Sequence, residues 1–256
     1  MTTLQLADIC AAPWGAPLLQ DINLCVAPGE ILGLAGPNGA GKSSLLKLIA
    51  GDLPIQSGEL QFAGRPRCDW PRRELARAMA YLPQLSLLNF PYTVQEVVAL
   101  GRTPHDTGTT CDQQIFTEVM QATDISTLRH RLYTQLSGGE KQRVQLARVL
   151  AQIWDSKTSL LLLDEPTTAL DLFHQQLVLA SVRQLASRGC SIVMAIHDLN
   201  LVAGSADRLA VLANGRLAAL GTPAEVFTPG LFREVFEVEV LIQQHPDRNQ
   251  PLVITR

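Results

Sequence analysis

Leu4 to Leu24 reads as short strands around a loop at Pro13-Trp14-Gly15, and Glu30 to Ala35 is a short apolar strand. Lys42 to Ile49 continues as a helix. Asp52 to Gly64 predicts a turn and a strand, Pro71 to Ala80 a helix, and Tyr81-Leu82-Pro83-Gln84 a strand that ends in a loop. From about Leu85 to Ser156 the pattern becomes mostly helical. Thr93 and Glu96 form a capping box before Val97 and Val98, and another helix is expected over Asp112 to Ala122. A long helix starting near Gly139 places Val144, Ala147, Leu150 and Ala151 on one face with charged positions opposite.

Alternation of strand and helix then returns: strand Leu160 to Leu163, helix Leu172 to Ser187, strand Ser191 to Ile196, helix Leu199 to Ala206. Such alternation predicts a parallel sheet. Arg208 to Leu220 predicts two strands joined by Asn214-Gly215, a strong hairpin signal. Thr222-Pro223-Ala224-Glu225 marks a further helix start, and His245 to Arg256 is a polar strand or tail. The expected organisation is one α/β domain over 1–256, with 1–84 and 157–256 forming the core and 85–156 a helical insertion.

Composition narrows the function classes. At 256 residues with 46% hydrophobic content the chain can bury a sizeable core. A net charge of −3 gives no basic footprint for nucleic acid. Cys10, Cys25, Cys68, Cys111 and Cys190 are scattered without Cys-x-x-Cys spacing, which fits reduced thiols rather than a metal site. No run approaches the roughly 18 to 20 apolar residues of a membrane span, and Met1 to Gln5 lacks the blocks of a secretory signal. A soluble protein is expected, reaching a membrane only through a partner.

Candidate chemistry sits in three places. Gly36-Pro37-Asn38-Gly39-Ala40-Gly41-Lys42-Ser43-Ser44 joins a strand to a helix, the context a phosphate loop requires. Its glycines let backbone N–H groups approach phosphate oxygens, and the helix start adds its positive dipole end. Lys42 supplies a charge for the β- and γ-phosphates, and Ser43 a hydroxyl for Mg²⁺. The apolar run Leu160 to Leu163 has the form of a strand covered on both faces, which sets Asp164 and Glu165 at its carboxyl end, where open parallel sheets bind ligands. Alternation along an extended strand points the two acids to different sides. Ser137-Gly138-Gly139 is a second phosphate-sized turn before a helix; taken alone such a turn is usually just a helix-capping loop.

These motifs, with Leu136-Ser137-Gly138-Gly139-Glu140-Lys141-Gln142-Arg143 lying between the phosphate loop and Leu160-Leu161-Leu162-Leu163-Asp164-Glu165, resemble the ATPase domain of ATP-binding-cassette (ABC) proteins over nearly the whole chain. The resemblance implies a P-loop NTPase fold with a RecA-like mixed sheet and an inserted helical subdomain, and ATP and Mg²⁺ as cofactors. It implies Mg²⁺ held by Ser43, Gln84 and Asp164, Glu165 as general base, and His197 at the γ-phosphate. It also implies a head-to-tail homodimer, in which Ser137, Gly138 and Gly139 of one copy close over the ATP of the other and Asp171 crosses the seam. Asp171 is equally placed to be the N-cap of the next helix, and Gln84 and His197 have ordinary structural alternatives. Trp14 occupies the place of the adenine-stacking aromatic, where a core or surface role is the alternative.

Leu88 to Val98, followed by Gly101-Arg102-Thr103-Pro104-His105, looks like the ATPases of bacterial iron-chelate, haem and vitamin B12 importers, nearest the haem group. A short insertion around Trp154 to Thr158 and the terminal His245-Pro246 and Pro251-Leu252-Val253 fit that group as well. Phe90 and Tyr92 could instead be core residues, and His105 reads as structural rather than a haem ligand. The implied partners are two permease subunits, at the cytoplasmic face of the inner membrane, and indirectly a periplasmic haem-binding protein. A soluble iron–sulfur assembly ATPase is the rival reading.

Overall fold

Strands β1 (Leu4–Ala11) and β2 (Leu19–Val26) pair antiparallel, Leu4 opposite Val26 and Leu6 opposite Leu24, each with one face largely buried. In the computed structural model, which describes residues 2–84, 88–156, 158–248 and 250–255, the chain then enters β3 (Ile31–Ala35), buried along its whole length. The phosphate loop and α1 (Lys42–Ala50) follow, and the helix stops at Gly51, whose left-handed φ of 101° turns its N–H back to Lys47 and Leu48. Next come β4 (Ser57–Phe62), β5 (Arg65–Pro66), α2 (Arg72–Ala78) and β6 (Met79–Leu82). Met79 and Ala80, expected at the end of a helix, instead open β6, because pairing with Leu160 and Leu161 overrides their helical propensity.

The helical segment comprises α3 (Val94–Ala99), α4 (Thr109–Ala122) and α5 (Gly138–Ile153). The Thr93–Glu96 capping box forms as expected. Helix α4 starts three residues earlier than Asp112, directly after Gly108 at φ 85°. Helix α5 is not apolar on one face only: Arg143 and Gln145 are buried too, since α3, α4 and β6 pack around it.

The Gly101 to His105 segment staples these helices together. A Cβ on Gly101 would lie 2.1 Å from the Arg148 carbonyl, so only glycine fits that close approach. The buried Arg102 donates to Asp112 Oδ1 at 2.9 Å, to both oxygens of Asp155 at 2.8 and 3.1 Å, and to the Ala151 carbonyl at 2.9 Å. Partial burial opposes ionisation of Asp155, but the Arg102 bonds outweigh it and hold the carboxyl below its ordinary pKa. His105 Nε2 bonds the Gln152 carbonyl at 2.8 Å, a structural role.

Beyond this block lie β7 (Leu160–Asp164), α6 (Leu172–Ser187), β8 (Ser191–Ala195), α7 (Leu199–Ser205), β9 (Arg208–Ala213) and β10 (Arg216–Gly221). Asn214 and Gly215, at φ 49° and 74°, make the tight β9–β10 hairpin the sequence predicts. Helix α8 (Pro223–Val226) carries the expected Thr222–Glu225 capping box. Helix α9 (Pro229–Val235) and strand β11 (Val240–Gln244) were not anticipated; Thr228-Pro229, which caps α9, repeats the Thr222-Pro223 start signal. Strand β12 (Pro251–Thr255) pairs with β11 and is pinned to α7 by Asn200, whose amide both accepts from and donates to the Val253 backbone.

Among the described residues the larger sheet runs β10-β9-β3-β8-β7-β6, parallel except for the edge strand β10, and the smaller antiparallel sheet runs β2-β1-β4-β5. Two hydrophobic layers sandwich the larger sheet. Leu160 and Leu162 face the layer shared with α1 and the small sheet, while Leu161 and Leu163 face the layer under α5, α6 and α7. That double burial explains the uninterrupted apolar run of β7.

Candidate active site

Strand β3 delivers the phosphate loop to the carboxyl edge of the sheet, beside the end of β7. Gly36 has φ 140° and a Cβ there would collide with the Leu212 carbonyl at 2.2 Å. Gly39, at φ 79°, faces open space, so its requirement is conformational. Gly41 is the N-cap of α1 and offers no side chain to cap it, which leaves the first-turn N–H groups to an incoming anion. The buried Lys42 Nζ donates to the Gly36 and Pro37 carbonyls at 2.7 and 2.9 Å. Burial lowers its pKa, against the opposing pull of Glu165 and Asp164.

Ser43 Oγ donates to Asp164 Oδ1 at 3.0 Å, and Tyr81 OH approaches Asp164 Oδ2 at 3.5 Å. Burial raises the Asp164 pKa and the neighbouring Glu165 adds to it, while the Ser43 bond opposes both. A site that disfavours its own carboxylate is one where added positive charge is stabilising. The oxygen donors of Ser43 and Asp164, with Gln84 lining the same cleft, form a set suited to a hard divalent cation that keeps several water or phosphate ligands.

The two acids do part company, but not by strand alternation. Glu165 has left the extended conformation, with φ 55°, and its N–H bonds the Ala195 carbonyl at 3.0 Å. This turn aims its nearly buried side chain at His197 Nε2, which bonds Oε1, and at Thr168 Oγ1, which donates to Oε2 at 3.1 Å. Thr168 was not singled out in the sequence; its place three residues after Glu165 is the signal that could have found it.

A cleft of about 480 Å³ gathers Asn38 to Ser44, Gln84, Glu165 and His197, together with Leu18, which sequence reasoning missed. Five of the predicted residues lie elsewhere. Ser137 caps α5 in a box with Glu140, and Gly138 stands at the exposed first position of that helix. A Cβ on Gly139 would lie 3.1 Å from the Ala169 carbonyl. Asp171 is the exposed N-cap of α6, accepting from the His174 N–H at 2.9 Å. Trp14 is 78% exposed in the loop between β1 and β2. Phe90 and Tyr92 are exposed as well, at a ring separation of 6.0 Å, which removes the core alternative for both.

Residues 19–168 match the family model described as ABC transporter, a span holding the phosphate loop, Ser137 to Gly139 and both acids. The chain belongs to the ABC transporter family. This ABC protein is 49% identical over 240 residues to the Hemin import ATP-binding protein HmuV of Pseudomonas entomophila (strain L48), spanning 93% of this chain and 94% of the relative. It is 48% identical over 254 residues to the protein of that name from Pseudomonas putida, at 99% and 100% coverage. Among solved structures, an inward-facing metal-chelate type ABC transporter aligns over 100% of this chain and 97% of its own at a TM-score of 0.81 and 26% identity.

In this ABC ATPase Lys42 is the cation that lines the cleft at the phosphate loop. Lys42→Ala should lower ATP affinity by roughly 10- to 100-fold, the worth of a charge-assisted hydrogen bond. Titration calorimetry reads this directly, and unchanged affinity would remove Lys42 from the binding site.

Proposed function

We propose that this chain is the ATP-hydrolysing subunit of a bacterial haem importer, working as a homodimer beneath two membrane-spanning permease subunits at the cytoplasmic face of the inner membrane. The observation that carries this is the near-half identity, over nearly the full length, to proteins named for hemin import. The segments 1–84 and 157–256 serve as nucleotide-binding core and 85–156 as the helical part.

Within each copy the Gly36 to Ser44 loop and Lys42 bind the triphosphate, while Ser43, Asp164 and Gln84 would hold Mg²⁺. The cation, when bound, neutralises charge on the β- and γ-phosphates. Glu165 Oε1 or Oε2 takes the proton of the attacking water, and His197 and Thr168 fix the direction of that carboxylate. Trp14 stacks on the adenine ring. The aromatic pair Phe90 and Tyr92 faces the permease, a few residues beyond Gln84.

Support for the second copy comes from Gly138. A Cβ there meets nothing within 4 Å and its φ is not left-handed, so the folded chain itself makes no demand for glycine. The bare backbone there leaves room for a ligand held from outside, in the cleft of a twin. Gly138→Ala should leave the melting temperature unchanged or slightly raised, since alanine favours helix over glycine by about 0.5–1 kcal/mol. ATP-dependent pairing should weaken at least about tenfold through steric overlap. Light scattering of the variant with ATP checks both halves, and undiminished pairing contradicts the shared cleft.

The haem assignment is tested by reconstitution. ATPase activity should rise when the protein is assembled with a haem permease and a haem-loaded binding protein. Stimulation by a ferric-siderophore or vitamin B12 permease instead, or co-purification with a soluble cluster scaffold, would replace the haem reading with that alternative.

A further inference from the structure

The helix bearing Ser137 to Gly139 and the loop bearing Asp171 are joined by a chain of polar side chains outside the nucleotide cleft. Arg143, one turn into α5 and almost fully buried, donates from Nη1 to the Thr123 carbonyl at 3.3 Å, to the Asp124 carbonyl, and to Asp124 Oδ2 at 3.2 Å. Asp124 sits just past the end of α4 in a left-handed turn, φ 51°. The same Asp124 Oδ2 lies 3.5 Å from His174 Nε2. The other ring nitrogen, Nδ1, is 2.8 Å from Asp171 Oδ1. The Phe173 ring, edge-on at 5.2 Å, borders the imidazole.

We propose that His174 is a positioning residue that ties Asp171 to Asp124 and Arg143, so that the Asp171 loop and the Ser137 to Gly139 helix reach the second copy as one unit. The proposal rests on the shared-cleft reading above. Two consequences of the geometry support it. The two ring nitrogens lie against two different carboxylates, Nδ1 at Asp171 and Nε2 at Asp124, so one side chain spans both acids. The bonds that His174 gives Asp171 from its backbone and its side chain, together with the nearby Arg143, hold the Asp171 carboxyl below its ordinary pKa, so it meets the partner ionised.

The role differs from that of a cleft residue, because His174 does not line the cleft. It also differs from helix capping, because the His174 N–H still reaches Asp171 whatever side chain follows. The test compares steady-state ATP hydrolysis, ATP affinity and melting temperature in His174→Ala, Asp124→Asn and the double variant. Asparagine tolerates the left-handed backbone at position 124, which limits damage to the fold. We expect kcat to fall about tenfold in each single variant, as for loss of one charge-assisted bond. ATP affinity should change less than about twofold, and the double variant should be no worse than either single one, because both break the same bridge. His174→Asn, whose amide reaches the place of Nδ1, and His174→Gln, whose amide reaches that of Nε2, should each recover part of the rate.

Unchanged kcat in His174→Ala, additive losses in the double variant, or an equal loss of ATP affinity would each overturn the proposal. Glu165→Gln protein with ATP serves as the control for the underlying reading. If it pairs and the His174 series shows no coupling, only the bridge fails; if it stays monomeric, the shared cleft itself fails.

Discussion

Glu165→Gln should bind ATP with little change and turn over about 10²- to 10⁴-fold more slowly, the range a positioned general base contributes. The amide is nearly isosteric with the carboxylate, and the left-handed turn at position 165 is set by the backbone bond to Ala195 rather than by the side chain. Thr168 Oγ1 can still donate to the amide oxygen, and His197 can meet the amide on its other side, so the side chain stays in place. What disappears is the ability to accept a proton from water. Burial is the main reason the Asp164 pKa is raised, but replacing the neighbouring charge by a neutral group removes the repulsion that adds to it and lowers the negative charge facing the anionic nucleotide. The copies should therefore accumulate as an ATP-bound pair. Single-turnover hydrolysis and light scattering report the two effects, and a normal rate would show that another group activates the water.

Arg102→Ala should cost about 3 kcal/mol of stability, at the lower end of the range for breaking a buried ion pair because both partner carboxylates keep some solvent contact. The guanidinium joins Asp112 at the start of α4, Asp155 just past the end of α5 and the Ala151 carbonyl inside α5. Truncation leaves two carboxylates facing each other across an empty volume. In a chain of this size the loss corresponds to a melting temperature lower by roughly 6–12 °C. A calorimetric scan showing a shift below about 2 °C would mean that solvent already carries these charges. Nucleotide affinity is the internal control, since Arg102 does not line the cleft.

The nucleotide cleft was largely legible in the sequence because its parts are local. A strand, a glycine turn and a helix start are written in consecutive residues, and the apolar run of β7 announces a strand covered twice. The connection of Glu165 with His197 was harder, because it depends on a backbone turn that nothing in Asp164-Glu165-Pro166 specifies without the neighbouring strand β8. The same limit explains Met79 and Ala80, whose strand state is dictated by partners 81 residues away, Leu160 and Leu161. It also explains Arg102 and Arg143, which composition assigns to the surface and which are buried by acceptors from other helices. Ser137, Gly138 and Asp171 were legible as motifs, yet their exposure outside the cleft came only from the fold.

Neighbouring leucines of β7 grip opposite oily layers, Leu160 and Leu162 on one side and Leu161 and Leu163 on the other. Tilting the strand would tear contacts above and below it simultaneously. The two acids at its tip thus stand on something like the bed of a vice, and whatever stroke powers the machine has to be delivered by the jaws.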